Sequence, residues 1–273
     1  MKNKAVSAPY AVWSIIFIVV PLFMVAYFAF TDASGAFTFA NIAKVGQYSN
    51  VFLRSIILGL IATIISLALG YPLAYIISKV KANHQTVLIM LLMVPMWMNF
   101  LLRTYAWMSL LEDQGIINNA LAAIGLPRFH MINTAGAVVL GMVYNYLPYM
   151  ILPIYTVLTK MDNSVIEAAE DLGANKSQIF AKVIFPMSMP GIISGITMVF
   201  VPAVSTFIIS KMLGGGGNLL IGDLIDMQFL GSSYNPNLGS AISLVLMILV
   251  FICMGIMNQF DDGDDIQGGG MLI

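Results

Sequence analysis

Few side chains in this sequence could do chemistry, and their spacing limits what that chemistry could be. The two histidines, His84 and His130, and the one cysteine, Cys253, lie far apart in the sequence, so no metal site is expected. No G-x-x-x-x-G-K-[ST] run occurs, and the chain therefore has no P-loop to cradle nucleotide phosphates. Gly214 to Gly217 lack the following lysine and read as a flexible outer turn. No nucleophile, base and orienting group fall into a recognisable pattern, so no catalytic residues are expected. The remaining candidates suit the handling of a solute. Asp223 and Asp226 are three apart and are neighbours if that segment is helical. Like Glu112 and Asp113, they make either a solvated outer face or a contact for a cation or an external protein. Arg103 interrupts an apolar stretch, where it either snorkels to the interface or lines a route. Trp97, Tyr105, Trp107, Tyr144, Tyr146 and Tyr149 read first as a belt at the membrane surface. Their π faces would also attract a cation, by about 0.5–2 kcal/mol each.

The elements that must position these residues are set by composition. Of 273 residues 25 are charged, 9%, where a soluble protein has about 25%. With 59% hydrophobic residues and a mean hydropathy of +0.90, a soluble globular enzyme is excluded. A net charge of -1 without a basic run excludes a nucleic-acid binder. The single cysteine leaves no intramolecular disulfide framework, and the 20 methionines read as soft filler between helices.

Long windows free of Asp, Glu, Lys and Arg predict six membrane spans, at about 11–30, 55–78, 86–108, 131–159, 186–210 and 239–260. Each is near the roughly 20 residues that a crossing helix needs, and the third runs on through Arg103. The windows lack the alternation of barrel strands, so the fold class is all-α integral membrane, one domain over 1–273. The first run is longer than the apolar region of a signal peptide and is read as a retained span. With the N-terminus inside, inner segments hold Lys2, Lys4, Lys79, Lys81, Lys160, Lys176 and Lys182, and outer ones hold Lys44, Arg54, Arg103, Arg128 and Lys211. The bias places both termini in the cytoplasm. The acidic tail, Asp261, Asp262, Asp264 and Asp265, reads as a solvated end.

The inner segment 160–185 is built like two short helices. Ser164-x-x-Glu167 has the form of a capping box, Gly173 stands where a left-handed residue would end the first helix, and Asn175-x-x-Gln178 can open the second. Pro186 and Pro190 are expected to close it and begin the fifth span. So short a helix is unstable in water alone and needs something to pack on.

Glu167-Ala168-Ala169, three residues, Gly173, nine residues, then Val183-Ile184-Phe185-Pro186 resembles the EAA loop of ABC importer permeases. That pattern ends in Ile-x-Leu-Pro; Val183 and Phe185 depart from it but keep apolar side chains. LGYPLAY (69–75) is also common among such permeases, whereas VPMWMNFLLRTYAW (94–107) and NLLIGDLIDMQF (218–229) are similar to the polyamine branch. The resemblance implies a type I importer permease fold (MetI-like) and a multi-pass protein of the bacterial inner membrane. It implies partners: a homologous second permease, a pair of cytoplasmic ATPases that hold the ATP and Mg, an external solute-binding protein, and membrane lipid. Glu167, Ala168, Ala169, Gly173 and Pro186 would then couple to an ATPase. Trp97, Arg103, Tyr105, Tyr144, Tyr146, Asp223 and Asp226 are candidates for the solute pathway. Spermidine or putrescine is the leading solute; another small polar solute, or a self-contained secondary transporter or channel, is the alternative.

Overall fold

The computed structural model describes residues 8–259 except Ser232; Lys2, Lys4 and the acidic tail lie outside the described residues. The described chain is helical: α1 (Pro9–Ala29), α2 (Ala40–Val45), α3 (Ser49–Lys79), α4 (Ala82–Trp97), α5 (Phe100–Leu111), α6 (Ile116–Ala123), α7 (Ala135–Lys160), α8 (Asn163–Asp171), α9 (Lys176–Met187), α10 (Met189–Ser205), α11 (Ile208–Leu213), α12 (Ile221–Phe229) and α13 (Pro236–Asn258). Four stretches are long and apolar enough to cross a membrane unaided: α1, α2 with α3, α7 and α13. Two bent pairs bring the number to six if each is counted as one span.

The bent pairs depart from the straight third and fifth spans expected from composition. After α4 the chain turns by 87° into α5 and α6. Pro95 withholds an amide from the last turn of α4, and Asn99 opens a new helix by accepting from the amides of Leu101 at 2.8 Å and Leu102 at 3.4 Å. The fifth span begins at Met189, bent by 59° from α9, and ends at Ser205 instead of reaching residue 210. Pro186 does not close α9, which runs through it to Met187; the bend falls at Ser188. By contrast α7 continues through both Pro148 and Pro153.

Two apolar clusters hold the bundle together. In the larger, α3, α7 and α10 pack around Met150, Ile151 and Ile154, all fully buried. Lipid is as apolar as these side chains, so close fit holds membrane helices together more than the exclusion of water does. Gly191 and Gly195, four apart on α10, permit that fit. A Cβ at Gly191 would stand 2.9 Å from the Pro153 carbonyl oxygen, and one at Gly195 would stand 2.8 Å from the Met150 sulfur. In the smaller cluster α13 covers the end of α1, α2, α12 and the end of α10.

Polar ties fix the ends of these elements. The amides of Asn41 and Asn237 both donate to the Thr31 carbonyl, at 2.8 and 2.7 Å, and so join α2 and α13 to the end of α1. Ser55 on α3 accepts from the Ile221 amide at 2.9 Å and anchors α12. Gln85 donates to the carbonyls of Ser78 and Val80 and accepts from the Tyr155 hydroxyl, which holds the α3–α4 turn against α7.

Gly191→Ala should force backbone apart, because its nearest neighbours are the Pro153 carbonyl and the Ile154 Cα. A loss of about 1–3 kcal/mol is expected, of the size of overpacking in a core, and is read as a lower melting temperature in detergent. Gly255→Ala, with nothing within 4 Å, is the control and should melt like the parent.

Candidate coupling surface and solute-facing residues

The segment between α7 and α10 is ordered by its own termini. Asp162 caps α8, accepting from the Ser164 amide at 2.9 Å, and that amide holds its carboxyl below the usual carboxylate range. The expected cap, Ser164 with Glu167, is therefore displaced by two residues. A carboxylate at a helix N-terminus gains from the macrodipole as well as from the bonded amide, which favours Asp162 over the serine. Glu167 is thereby free of a capping role and stands exposed, as does Ala168, while Ala169 is half-buried against the larger cluster.

Gly173 ends α8 at φ +80°. Its amide donates to Glu170 at 2.8 Å and that of Ala174 donates to Ala169 at 3.1 Å, the paired bonds of a Schellman turn. Two residues on, Asn175 and Gln178 cap α9 reciprocally, at 3.0 and 2.9 Å, as their spacing predicts. Between α8 and α9 lies a groove of about 370 Å3 lined by Ala169, Leu172, Gly173, Ala174 and Ile179. Leu172 is 89% exposed at its rim, and Pro186 is exposed on the last turn of α9.

The candidate pathway residues are dispersed. Trp97 and Tyr105 lie exposed on either side of the α4–α5 bend. Arg103 is buried, its guanidinium 5.9 Å from the Phe100 ring, and its Nε has no hydrogen-bond partner among the described residues. Tyr144 meets Trp107 edge to face at 5.3 Å, and both line an apolar groove of about 720 Å3 between α3 and α7. Tyr146 faces the interior, its hydroxyl 3.5 Å from the Pro202 carbonyl.

Asp223 and Asp226 differ from a solvated outer face, whereas Glu112 and Asp113 are exposed. Asp223 is buried and accepts from the Leu220 amide at 2.8 Å, serving the start of α12, and burial pushes its carboxyl up from the usual range. Asp226 pairs with Lys211 at 3.0 Å. Asp113 pairs with His130 at 2.8 Å on the surface, so the histidine has a carboxylate neighbour but no metal-ligand cluster among the described residues. The glycine turn is tied down by Arg54, which donates to the Gly217 carbonyl at 2.6 Å. Sequence reasoning missed Asp162 and the Gly191–Gly195 pair, although the G-x-x-x-G spacing is printed in the chain.

This is the fold of the membrane permease subunit of an ABC importer. The chain belongs to the family of binding-protein-dependent transport system inner membrane components, whose profile matches residues 1–262. It is 38% identical over 248 residues to the spermidine/putrescine transport system permease protein PotB of Haemophilus influenzae, covering 87% of this chain and 86% of that one. Against PotB of Escherichia coli it is 37% identical over 255 residues, covering 90% and 91%. Among solved structures it resembles a chain of a bacterial ABC transporter that imports the acidic polysaccharide alginate, with a TM-score of 0.76, 18% identity and 94% of both chains covered. A chain of the MetNI methionine ABC transporter aligns with a TM-score of 0.59 and 14% identity over 81% of this chain and 97% of that one.

Burial disfavours the Asp223 carboxylate, so the folded state holds a proton more tightly than the unfolded chain does. The stability that this group contributes is then present below the ordinary value of 3.8 and is lost as pH rises through its raised folded value. Asp223→Asn keeps an oxygen for the Leu220 amide and removes the charge. Its melting temperature should equal or exceed the parent's at pH 7, and the difference should shrink as pH falls toward 4.

Proposed function

We propose that this chain is the permease subunit of an ATP-driven importer that takes up spermidine and putrescine by alternating access. The observation that carries the reading is its identity of 37–38% to PotB permeases over about nine-tenths of its length. It is supported by the exposed α8–α9 segment, which carries the coupling pattern at the proper spacing. On this reading a homologous second permease completes the pathway, and a pair of ATPases binds ATP and Mg on the cytoplasmic side. An external binding protein delivers the solute; one similar transporter structure includes such a periplasmic protein.

The chemistry of the segment suits docking in an ATPase groove. Ala168 and Ala169 allow close approach, Gly173 turns the chain, and the segment offers an exposed carboxylate at Glu167 and an exposed apolar side chain at Leu172. For the solute, an unpaired charge in a low-dielectric region is costly, and π faces ease passage without holding the cation. Trp97, Tyr105 and the Trp107–Tyr144 pair supply such faces. Arg103 gives a polycation no resting place beside it, which suits a route that must release what it admits. Asp223 and Asp226 act through the fold of the outer end, since both carboxylates are engaged.

Reconstituted with its partners, the complex should import labelled spermidine and putrescine in preference to an amino acid or a sugar. Preference for a sugar over both amines would end the polyamine reading and leave the permease assignment standing. Gly173→Val, a β-branched residue at positive φ, is strained by about 1–2 kcal/mol. It should uncouple ATP hydrolysis from uptake while the spans still insert; unchanged coupling in it and in Glu167→Ala would refute the role of this segment.

Both termini and the α8–α9 segment are assigned to the cytoplasm. In a Cys253→Ser background, an impermeant thiol reagent added to intact cells should label Ala33→Cys, but not Asn83→Cys or Ser177→Cys. All three positions are exposed, and labelling of Ser177→Cys from outside would reverse the orientation.

A further inference from the structure

The bend between α9 and α10 is weak in its backbone. Pro186 and Pro190 have no amide hydrogens, so two carbonyls four residues upstream lose their usual donors. Just before the bend the helix widens to a π turn over Phe180–Ile184, closed by the Phe185 amide on the Phe180 carbonyl. A push delivered to α8 and α9 would be absorbed by flexing at Ser188 unless α9 were held from the side.

It is held from the side. Ser188 is completely buried, and its hydroxyl donates to the Phe185 carbonyl at 2.8 Å. With its one hydrogen so placed, its oxygen accepts from the Tyr71 hydroxyl on α3, 3.0 Å away. The Tyr71 ring lies 5.9 Å from Phe180, edge on, and 5.8 Å from Phe185. One helical turn further along α3, Tyr75 meets Phe180 at 5.6 Å. Beyond the bend, Gly191 brings α10 against the α7 backbone. The same tyrosine thus grips the π turn by its ring and the bend by its hydroxyl.

We propose that Tyr71 and Ser188 form a strap that makes α3 follow α9, so that movement of the α8–α9 segment reaches the core of the bundle and is not dissipated at the hinge. The proposal rests on the reading of α8–α9 as the coupling segment. Tyr71 and Ser188 are positioning residues here: neither needs to touch solute or ATPase. The phenol-to-hydroxyl bond is the working part, and the aromatic contacts keep the partners in register.

The test uses the full complex in vesicles and reads solute imported per ATP hydrolysed. Tyr71→Phe keeps the ring and Ser188→Ala keeps the volume, so each should assemble with the ATPases. Each should lower the ratio about fivefold, the size of effect expected for one buried hydrogen bond. The double variant should lose no more than Ser188→Ala alone, because Ser188→Ala already removes the bond that Tyr71→Phe removes. A structural readout accompanies this: spin labels at Ile76→Cys on α3 and Ala181→Cys on α9, in a Cys253→Ser background. Their separation should stay constant when ATP is added to the parent and should change with ATP in Tyr71→Phe. An unchanged import ratio, losses that multiply in the double variant, failure of Tyr71→Phe to assemble, or a separation that responds to ATP alike in parent and variant would overturn the strap. If Gly173→Val uncouples and Tyr71→Phe does not, only the strap falls; if neither does, the coupling reading falls with it.

Discussion

Where a helix stops away from water, whether in lipid or in the protein interior, its freed amides and carbonyls must be bonded from within the chain. The architecture follows from how those bonds are made. At the α4–α5 bend Asn99 supplies an oxygen to two amides. At the start of α12 the amides of Leu220 and Ile221 are taken by Asp223 and by Ser55 of a distant helix. At the end of α1 the Thr31 carbonyl receives two asparagine amides from elements elsewhere in the sequence. Side chains that composition alone would send to the surface are drawn inward for this work.

The two bent pairs differ in what they make possible. The α4–α5 bend is nearly a right angle, and it exposes Trp97 and Tyr105 while α5 buries Arg103. The α9–α10 bend is shallower and joins the α8–α9 segment to a helix packed deep in the core. One bend shapes a surface; the other lies on the line between the exposed α8–α9 segment and the bundle. Both begin from prolines, and neighbouring polar side chains decide which kind of joint results.

The apolar windows were legible because continuous runs of this length have few other uses, but only four of them form unbroken spans, and the third and fifth became bent pairs. The α8–α9 turn was legible too, since Gly173 and the Asn175–Gln178 pair bond within a few residues of themselves. What stayed hidden depended on distant partners. Nothing local tells whether Asp223 meets water or the Leu220 amide, or that Arg103 folds under the Phe100 ring. Prolines 95, 186 and 190 marked where a backbone is weakened, but nothing local tells that Asn99 opens the next helix or that Tyr71 bonds Ser188. The cap of α8 was misplaced for a smaller reason: Asp162 and Ser164 are both good caps, and only the helix start decides between them.

The tie at Thr31 bears on how the protein is made. One of its two asparagines, Asn41, is near in sequence, whereas Asn237 leads the last span, and α1 packs chiefly against α13. During synthesis α1 precedes α13, the helix that fixes its place, by most of the described chain. Closure of the fold around α1 therefore waits for α13, far downstream in the sequence.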